Sequence, residues 1–189
     1  MDLGMATHKS RNQSSERREK MIDAGQALFL RDGLRGTTME AIASQAGVAK
    51  ATLYSYFSDK EAVFAAVAGR LVGELKTIVD GELSRPGEAW MRIAAALSAK
   101  HRFVYGLLEG SPHAHELYEA GSPENSPELA RFDRDFEDRI TAILREAGHG
   151  DAARLATLIW ACAEGISRRA ENAGQIGPAT RLVVEKLLA

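Results

Sequence analysis

The chain has 189 residues, of which 45% are hydrophobic and 26% are charged, and its formal net charge is −2. These values are typical of a globular protein with one domain, or with a small domain joined to a larger one. One cysteine excludes a disulfide framework and a zinc site built on cysteines, and it fits a reducing cytoplasm. The most apolar stretch, residues 155–166, is too short to span a membrane, and the first residues lack the apolar core of a signal peptide. We therefore expect a cytoplasmic protein with no membrane partner.

The charges are distributed unevenly along the chain. Residues 1–60 carry nine Lys and Arg against seven Asp and Glu, and the basic excess lies in residues 9–20. A basic N-terminal segment followed by a net acidic remainder of the chain suggests a polyanion as partner. A solvated tail is the alternative that charge alone leaves open. Residues 1–14 are polar and lack periodicity, so we predict a flexible basic arm there.

Helical periodicity begins at Ser15, and no segment has the sustained alternation of a β-strand. A first helix is predicted from Ser15 to just before Gly33, followed by two short helices that meet at Gly47. The sequences Thr37–Glu40 and Ser58–Glu61 are typical of capping boxes, in which a Ser or Thr side chain accepts a hydrogen bond from the backbone of the fourth residue. The second of these boxes predicts the start of a long helix.

Further helix-start signals follow the long helix, which we expect to end near Leu83. Further helix starts are predicted near Pro86, at Ser111–Pro112, at Ser126–Pro127, at Asp151 and at Pro178. The sequence therefore predicts an all-α protein.

The two short helices joined at Gly47 are typical of a helix-turn-helix, whose second helix enters the major groove of DNA. Gly47 suits the left-handed position of the turn, and Leu53 and Phe57 would face inward. The outward face then carries Lys50, Ala51, Thr52, Ser55 and Tyr56. Lys50 can donate to guanine O6 and N7, and the Thr52 methyl group can contact a thymine methyl group. An ordinary helical hairpin has the same pattern, so the pattern alone leaves both interpretations open.

Three segments carry a family resemblance: Gly36–Ala43 (GTTMEAIA), Ala46–Phe57 (AGVAKATLYSYF) and Asp59–Glu61 (DKE). Together they closely resemble the DNA-binding domain of TetR-type (tetracycline-repressor-like) transcriptional regulators. The resemblance covers residues 17–64, about a third of the chain. It implies a homodimeric, all-helical regulator that is not an enzyme.

The resemblance also implies a domain organisation. Residues 15–61 would form an N-terminal three-helix helix-turn-helix domain that binds DNA. Residues 62–189 would form a C-terminal helical bundle for ligand binding and dimerisation. Ligand-controlled repression is the family's usual behaviour, so we expect a repressor that a small molecule releases from a near-palindromic operator in double-stranded DNA.

Individual residues take roles from the same resemblance. The family commonly holds the DNA backbone at the positions of Thr37, Thr38, Tyr54, Tyr56 and Lys60. It commonly faces the bases at the positions of Lys50, Ala51 and Thr52.

Three positions depart from the family pattern. Ala49 stands where Ser is frequent, so we expect the second short helix to lack a side-chain cap. Ala51 stands where Gly is frequent, which restricts close approach to a base. Gly25 stands where Ala is usual, and we expect it to loosen the first helix.

The C-terminal half offers a candidate dimer face. Residues 155–166 are apolar nearly all round, so this helix needs cover on two sides. We expect its own bundle on one side and a second subunit, beside the last helix, on the other. The central helix of a monomeric bundle is the alternative.

A small apolar or amphipathic ligand would need a mostly apolar site with a few polar groups. Candidate lining residues are Trp90, Ile93, Leu97, His101, Tyr105, Phe136 and Trp160. His101 has a second interpretation, as a partly exposed or internally bonded histidine. A ligand against the C-terminal half of the long helix, Lys60–Leu83, would tilt the DNA-binding domain.

Other reactive side chains give less specific signals. His113, His115 and Glu116 lie beside a loop without a fourth ligand, so we expect no metal site. Cys162 lies in an apolar segment, which favours an inert buried thiol over a redox sensor.

Two other classes of protein, a helical-bundle enzyme and a protein-interaction module, are alternatives to a DNA-binding regulator. A di-iron bundle enzyme needs paired Glu-x-x-His motifs on facing helices, and the match at Glu146–His149 stands alone. The sequence also has no nucleophile elbow, phosphate loop or zinc motif, so we expect no enzyme and no cofactor. A helical protein-interaction module that does not bind DNA is the second rival.

Overall fold

The computed structural model describes the backbone of residues 3–188 and the side chains of residues 13–188. Within this part of the chain there are nine α-helices and no strand, which confirms the predicted all-α class. The helices are α1 (Leu3–Gly36), α2 (Met39–Gln45), α3 (Lys50–Tyr56), α4 (Lys60–Leu83), α5 (Ala89–Leu108), α6 (Ala114–Ala120), α7 (Pro127–Glu146), α8 (Ala152–Arg169) and α9 (Ala173–Leu188).

The helices form two units that are not simply successive along the chain. The first unit runs to Arg70 and also includes Gly110–Gly121, whereas the second contains Leu71–Glu109 and the residues from Ser122 onward. Helix α4 therefore contributes to both units, and α6 belongs to the first. Helix α6 joins the first unit because it packs on α1, and the predicted division of functions after residue 61 stays a prediction. Gly69 and Gly73 of α4 flank the point where one unit ends and the other begins.

The start and the end of α1 differ from the sequence prediction. The helix begins at Leu3, before Ser15, so its backbone is helical over most of the predicted arm. Residues 1 and 2 of that arm lie outside the described residues, and the arm's flexibility stays a prediction. At the other end, Gly33 has φ 75°, which bends the helix at the predicted stop instead of ending it.

The core of the first unit depends on a close approach between α1 and α4. A Cβ atom added to Gly25 would lie 2.6 Å from Val63 Cγ1, closer than side chains tolerate. Phe29 and Phe64 pack edge to face, with ring centroids 5.4 Å apart. The missing side chain is what allows the two helices to pack, and the expectation that Gly25 loosens α1 stays a prediction.

Both predicted capping boxes are shifted by one residue. Thr38, not Thr37, caps α2, and its hydroxyl accepts from the Ala41 amide at 3.2 Å. Asp59, not Ser58, accepts from the Ala62 amide at 2.7 Å. Because Thr37 is buried and its hydroxyl donates to the Gly33 carbonyl at 2.7 Å, it serves the bend in α1 instead of the start of α2.

The second unit has its own apolar core. In it α5 packs against α9, and α7 packs against α8. The core side chains include Leu75, Val79, Ile93, Leu97, Phe136, Ile140, Leu144, Ile159 and Val184. Ser126 caps α7 as predicted, accepting from the Leu129 amide at 3.3 Å.

Two other predicted helix starts need correction, whereas α8 begins directly after Asp151 as predicted but without the expected cap. The Asp151 side chain makes no capping bond at the start of α8. Helix α6 begins at Ala114, because Ser111 is used elsewhere: its hydroxyl donates to the Leu30 carbonyl at 2.7 Å. Helix α9 begins at Ala173 and contains Pro178, since the Gln175 side chain accepts from the Glu171 amide at 3.0 Å and stabilises an earlier start.

No helix within residues 3–188 combines the length and the apolar character that a membrane span requires.

Candidate nucleic-acid interface

Helices α2 and α3 are joined by a tight turn at Gly47. This glycine has φ 66°, and the Val48 amide donates to the Ala43 carbonyl at 3.0 Å across the turn. A Cβ atom at Gly47 would meet no neighbour within 4 Å, so the requirement for glycine is purely conformational. The turn has the geometry predicted from the sequence.

The inner face of α2 and α3 is closed by apolar packing. Ile42 and Leu53 have no exposed surface, and Phe57 is also buried. These side chains fix the angle at which α3 is held, since a packed interior tolerates little adjustment. The face opposite them is the one that can meet a partner.

The outer face of α3 presents the predicted side chains. Lys50, Ala51 and Ser55 are exposed, and Thr52 and Tyr56 are half-buried. Tyr54 is also exposed, at 45%. The structure therefore brings the six α3 candidates to one helix, with their accessible atoms outside the core.

The first turn of α3 has no side-chain cap, as expected from Ala49. The Ser55 hydroxyl donates to the Thr52 carbonyl at 2.7 Å, so its hydrogen is already used within the helix. Ser55 is consequently better placed as an acceptor than as a donor toward a partner.

Lys50 is paired with Glu40 of α2 across the front of the unit. A hydrogen bond from Lys50 lowers the pKa of the Glu40 carboxyl, and the same bond raises the pKa of Lys50. The Lys50 ammonium also lies 5.8 Å from the centre of the Tyr54 ring. Sequence reasoning missed Glu40 in this role, because the assumed capping box assigned its side chain to its own helix. A guanine would have to replace this carboxylate.

Thr37 and Lys60 were predicted to contact the DNA backbone. In the structure the polar atoms of both side chains are bonded to carbonyl groups near the end of α1, which favours a role in supporting the helix-turn-helix. The Lys60 ammonium donates to the carbonyls of Leu34 at 2.9 Å, Arg35 at 3.4 Å and Thr37 at 3.4 Å. An ammonium group has three donors, so these carbonyls use its capacity. Lys60 and the buried Thr37 hydroxyl thus donate to the carbonyl groups at the end of α1. Thr38, in contrast, is exposed and accessible to a partner.

The amino-terminal half of α1 lies beside the end of α3. The hydroxyl groups of Ser14 and Tyr56 are 3.0 Å apart, and the Arg18 guanidinium lies 5.4 Å from the centre of the Phe57 ring. Sequence reasoning did not connect these residues, although Ser14 and Arg18 have the four-residue spacing of one helix face.

The candidate ligand residues are dispersed over the second unit. Ile93, Leu97 and Phe136 are closed core residues with at most 1% exposure. The Trp90 ring is covered by Arg181 at 5.2 Å, and the Tyr105 hydroxyl donates to the Glu171 carbonyl at 2.7 Å.

Phe136 and Trp160 do meet, edge to face, with ring centroids 5.4 Å apart. Phe136 also lines a cleft of about 380 Å³ between α4 and α7, together with Val72 and Phe132. Lys76, Arg131 and other charged side chains line the same cleft. The cleft combines an apolar lining with charged groups, as an amphipathic molecule requires.

A charged cluster around the buried Lys100 lies next to Trp160. The Lys100 ammonium is 2.9 Å from Glu164 Oε1, 3.4 Å from Asp133 Oδ1 and 4.5 Å from the centre of the Trp160 ring. Burial raises the pKa of Asp133; at Glu164 burial acts in the same direction, but the charge and hydrogen bond of Lys100, together with the charges of His101 and Arg168, lower the pKa overall. Sequence reasoning missed this cluster; its one local signal is that Glu164 interrupts the apolar run of α8.

His101 adjoins this cluster but is not bonded to it. Its Nε2 atom is buried without a hydrogen-bond partner and lies 3.8 Å from Glu164 Oε1. Burial, reinforced by the charge of Lys100, lowers the pKa of His101 to about 4. The imidazole is therefore neutral at pH 7, and Nε2 is a buried polar atom without a hydrogen-bond partner at the edge of the charged cluster.

The outer face of α8 and α9 carries exposed apolar side chains. Leu158 is 45% exposed and Leu182 is 57% exposed. Cys162 is also exposed, so the prediction of a buried thiol is wrong for the single chain. The helix turns Cys162 outward because its inward positions are taken by Ile159 and Ala163.

His113 and Glu116 pair with each other beside the bend in α1. His113 Nδ1 is 3.6 Å from Glu116 Oε2, and no group of three or more metal-ligating side chains occurs among the described residues.

The packed α2–Gly47–α3 unit, with polar groups on its free face, defines a helix-turn-helix protein. The family model for bacterial regulatory proteins of the tetR family matches residues 21–67. The transcriptional regulator RutR of Escherichia coli K12 is 31% identical over 159 residues, which cover 80% of this chain and 70% of RutR. The chain belongs to the TetR family. The matches to two other regulators cover less than half of those relatives' length.

Solved structures show the same fold. A TetR/AcrR-family regulator from Thermobifida fusca has a TM-score of 0.73 and 24% identity, covering 89% of this chain and 97% of its own. FadR from Bacillus subtilis, in complex with stearoyl-CoA, has a TM-score of 0.67 and 18% identity, covering 90% and 97%.

Proposed function

We propose that this protein is a sequence-specific DNA-binding regulator of transcription, acting in the cytoplasm as a repressor and not as an enzyme. The observation that carries the proposal is α3, which presents Lys50, Thr52 and Tyr54 on a free face above a closed apolar back. A helix held in this way fits the major groove of B-DNA.

The contacts to DNA divide by chemistry. Lys50, Ala51 and Thr52 face the bases, with Lys50 donating to a guanine after leaving Glu40. Thr38, Tyr54 and Tyr56 carry accessible hydroxyl groups that donate to phosphates. Thr37 and Lys60, whose polar atoms are bonded to the end of α1, support the unit from behind.

A homodimer completes the DNA site. One α3 covers one half-site, and a symmetric pair reads a near-palindrome with half-sites about one helical turn apart. The exposed Leu158, Cys162 and Leu182 on α8 and α9 support this face as the contact between subunits. Light scattering at micromolar concentration tests this point, and a monomer would contradict it.

A small apolar or amphipathic ligand controls the repressor in this proposal. Support comes from the cleft beside Phe136 and from the unpartnered Nε2 atom of His101 in the second unit. Because α4 contributes to both units, a ligand against its C-terminal half can tilt its N-terminal half. The ligand must prefer the released state, since equal affinity for both states shifts nothing.

Salt dependence separates this function from its rivals. The full chain is first used to select a duplex from a random-sequence library, and binding of that duplex is then measured at two salt concentrations. We expect the logarithm of the affinity to fall by about 0.9 per contacted phosphate for each decade of salt. Failure to select any duplex would favour a protein-interaction module, and binding that ignores salt would contradict a phosphate interface.

A further inference from the structure

The last turn of α1 is held by a segment that is distant in sequence. The Arg35 amide donates to Glu116 Oε1 at 3.0 Å, and the Ser111 hydroxyl donates to the Leu30 carbonyl at 2.7 Å. Both partners lie in Gly110–Gly121, the segment that belongs to the first unit although its neighbours in sequence belong to the second. The contacts therefore add support that the first 70 residues do not supply themselves.

The fit between this segment and α1 is close. Gly33 is buried, and a Cβ atom there would lie 2.7 Å from both His113 Nδ1 and Glu116 Oε2. Its φ of 75° turns the chain at this point. The bend in α1 thus lies directly against His113 and Glu116, at the place where α6 packs on α1.

The position of this bend matters for α2. Thr37 and the cap of α2 at Thr38 follow Arg35 directly, and the Thr37 hydroxyl is bonded back to Gly33. Lys60 holds the same turn from the other side through the Leu34 carbonyl. Whatever fixes residues 33–37 also fixes where α2 begins, and α3 is packed on α2 through Ile42 and Leu53.

We infer that Gly110–Gly121 is a positioning element for DNA recognition, with Glu116 and Ser111 as its positioning residues. Neither residue needs to touch DNA. Glu116 accepts from the Arg35 amide and thereby holds the start of α2, which sets the presentation of α3 to the groove. The inference rests on the proposed function and adds residues that the recognition helix itself does not contain.

The test compares variants of the full chain on the duplex selected by the wild-type protein. Glu116→Ala removes the acceptor, and we expect about tenfold weaker binding, a loss typical of one hydrogen bond to a charged group. Ser111→Ala should weaken binding in the same direction. Glu116→Gln keeps an acceptor oxygen and should restore most of the affinity, which a role in repelling or attracting the DNA charge would not allow. His115→Ala, an exposed change on the same helix, is the matched control.

Hydrogen exchange supplies a readout without DNA. Glu116→Ala should speed the exchange of the Arg35 amide and of the amides of α2, while the amides of α7 and α8 keep their wild-type rates. Unchanged exchange over residues 33–45 would overturn the inference, whether or not the wild-type chain binds a duplex. Wild-type affinity in both Glu116→Ala and Ser111→Ala would overturn it equally. If Glu116→Ala does not fold, Ser111→Ala and Glu116→Gln carry the same comparison.

Discussion

The two units of this protein treat their polar groups in opposite ways. In the first unit Thr37, Lys60 and Glu116 satisfy backbone groups at the end of α1, and other polar side chains face outward on α3. In the second unit the buried Lys100 is paired with two partly buried carboxylates, and His101 Nε2 has no hydrogen-bond partner. Satisfied backbone groups hold a surface in one geometry, whereas unpaired buried groups leave free energy that a ligand or a change of charge can use.

The largest effect should follow from removing the charge of Lys100. Lys100→Met leaves two partly buried carboxylates without their cation and removes the ammonium from the Trp160 ring, so we expect the free energy of unfolding to fall by about 3 kcal/mol, the lower end of the loss for a broken buried ion pair. Urea denaturation followed by Trp fluorescence measures the loss. Lys76→Met, on an exposed part of α4, is the control and should change little. A loss below about 1 kcal/mol would contradict the charged cluster around Lys100.

Acid should weaken the second unit through His101. Its pKa is about 4 in the folded protein against 6.5 for the free side chain, because burial disfavours the charged imidazole. The unfolded chain therefore binds a proton first, and stability is lost as the pH falls from about 6.5 to about 4. We expect His101→Gln to remove roughly 2 kcal/mol of the acid-induced loss at pH 4.5, measured as the difference between denaturation series at pH 7 and pH 4.5. Comparing the variant with the wild type isolates the contribution of His101 to the acid-induced loss of stability, since Asp133 and Glu164 are present in both proteins. Equal pH dependence in the variant and the wild type would contradict it.

A change in the packed first unit should have a smaller and purely steric effect. Gly25→Ala places a methyl group against Val63, and we expect a loss of about 1 to 3 kcal/mol. Gly69→Ala is the matched control, since its added Cβ atom meets nothing within 4 Å; it should gain about 0.5 to 1 kcal/mol from helix propensity. If Val63→Ala restores part of the stability lost in Gly25→Ala, the clash lies between these two positions. A similar gain in stability from Gly25→Ala and Gly69→Ala would contradict the clash.

The smallest effect concerns the outer face of α3. Glu40→Gln releases Lys50 from its ion pair and should strengthen duplex binding about threefold, within the range of an exposed pair. Lys50→Ala should change the preferred base at one position, while Thr38→Ala should weaken binding to every duplex alike. A duplex library bound by each variant measures both properties. Equal losses on all sequences from Lys50→Ala and Thr38→Ala would remove the distinction between base and phosphate contacts.

Local patterns predicted the first unit better than the second. The turn at Gly47, the inward Leu53 and the outward Lys50 follow from helical spacing within a dozen residues, so the sequence contains what is needed. The cap of α2 was predicted one residue too early because the Thr37 hydroxyl is bonded to Gly33. Two adjacent threonines in a sequence do not reveal which one is buried.

Contacts between distant segments had no comparable signal. Glu116 reaches Arg35 across 81 positions, and Lys100 reaches Glu164 across 64. Periodicity can predict that such side chains lie near an apolar face, but their partners depend on how the helices pack. The candidate ligand residues were dispersed for the same reason: Ile93, Leu97 and Phe136 share an apolar pattern with pocket residues but fill the core.

Helix α4 has a mechanical consequence that its length conceals. Its 24 residues pass from one unit to the other at Arg70 and Leu71, between Gly69 and Gly73. Each glycine is about 1 kcal/mol less favourable than alanine in a helix, and neither has close neighbours at its Cβ position. The helix is therefore easier to bend at this junction than elsewhere, so part of any tilt of one half would appear there as curvature and the rest would reach the other half.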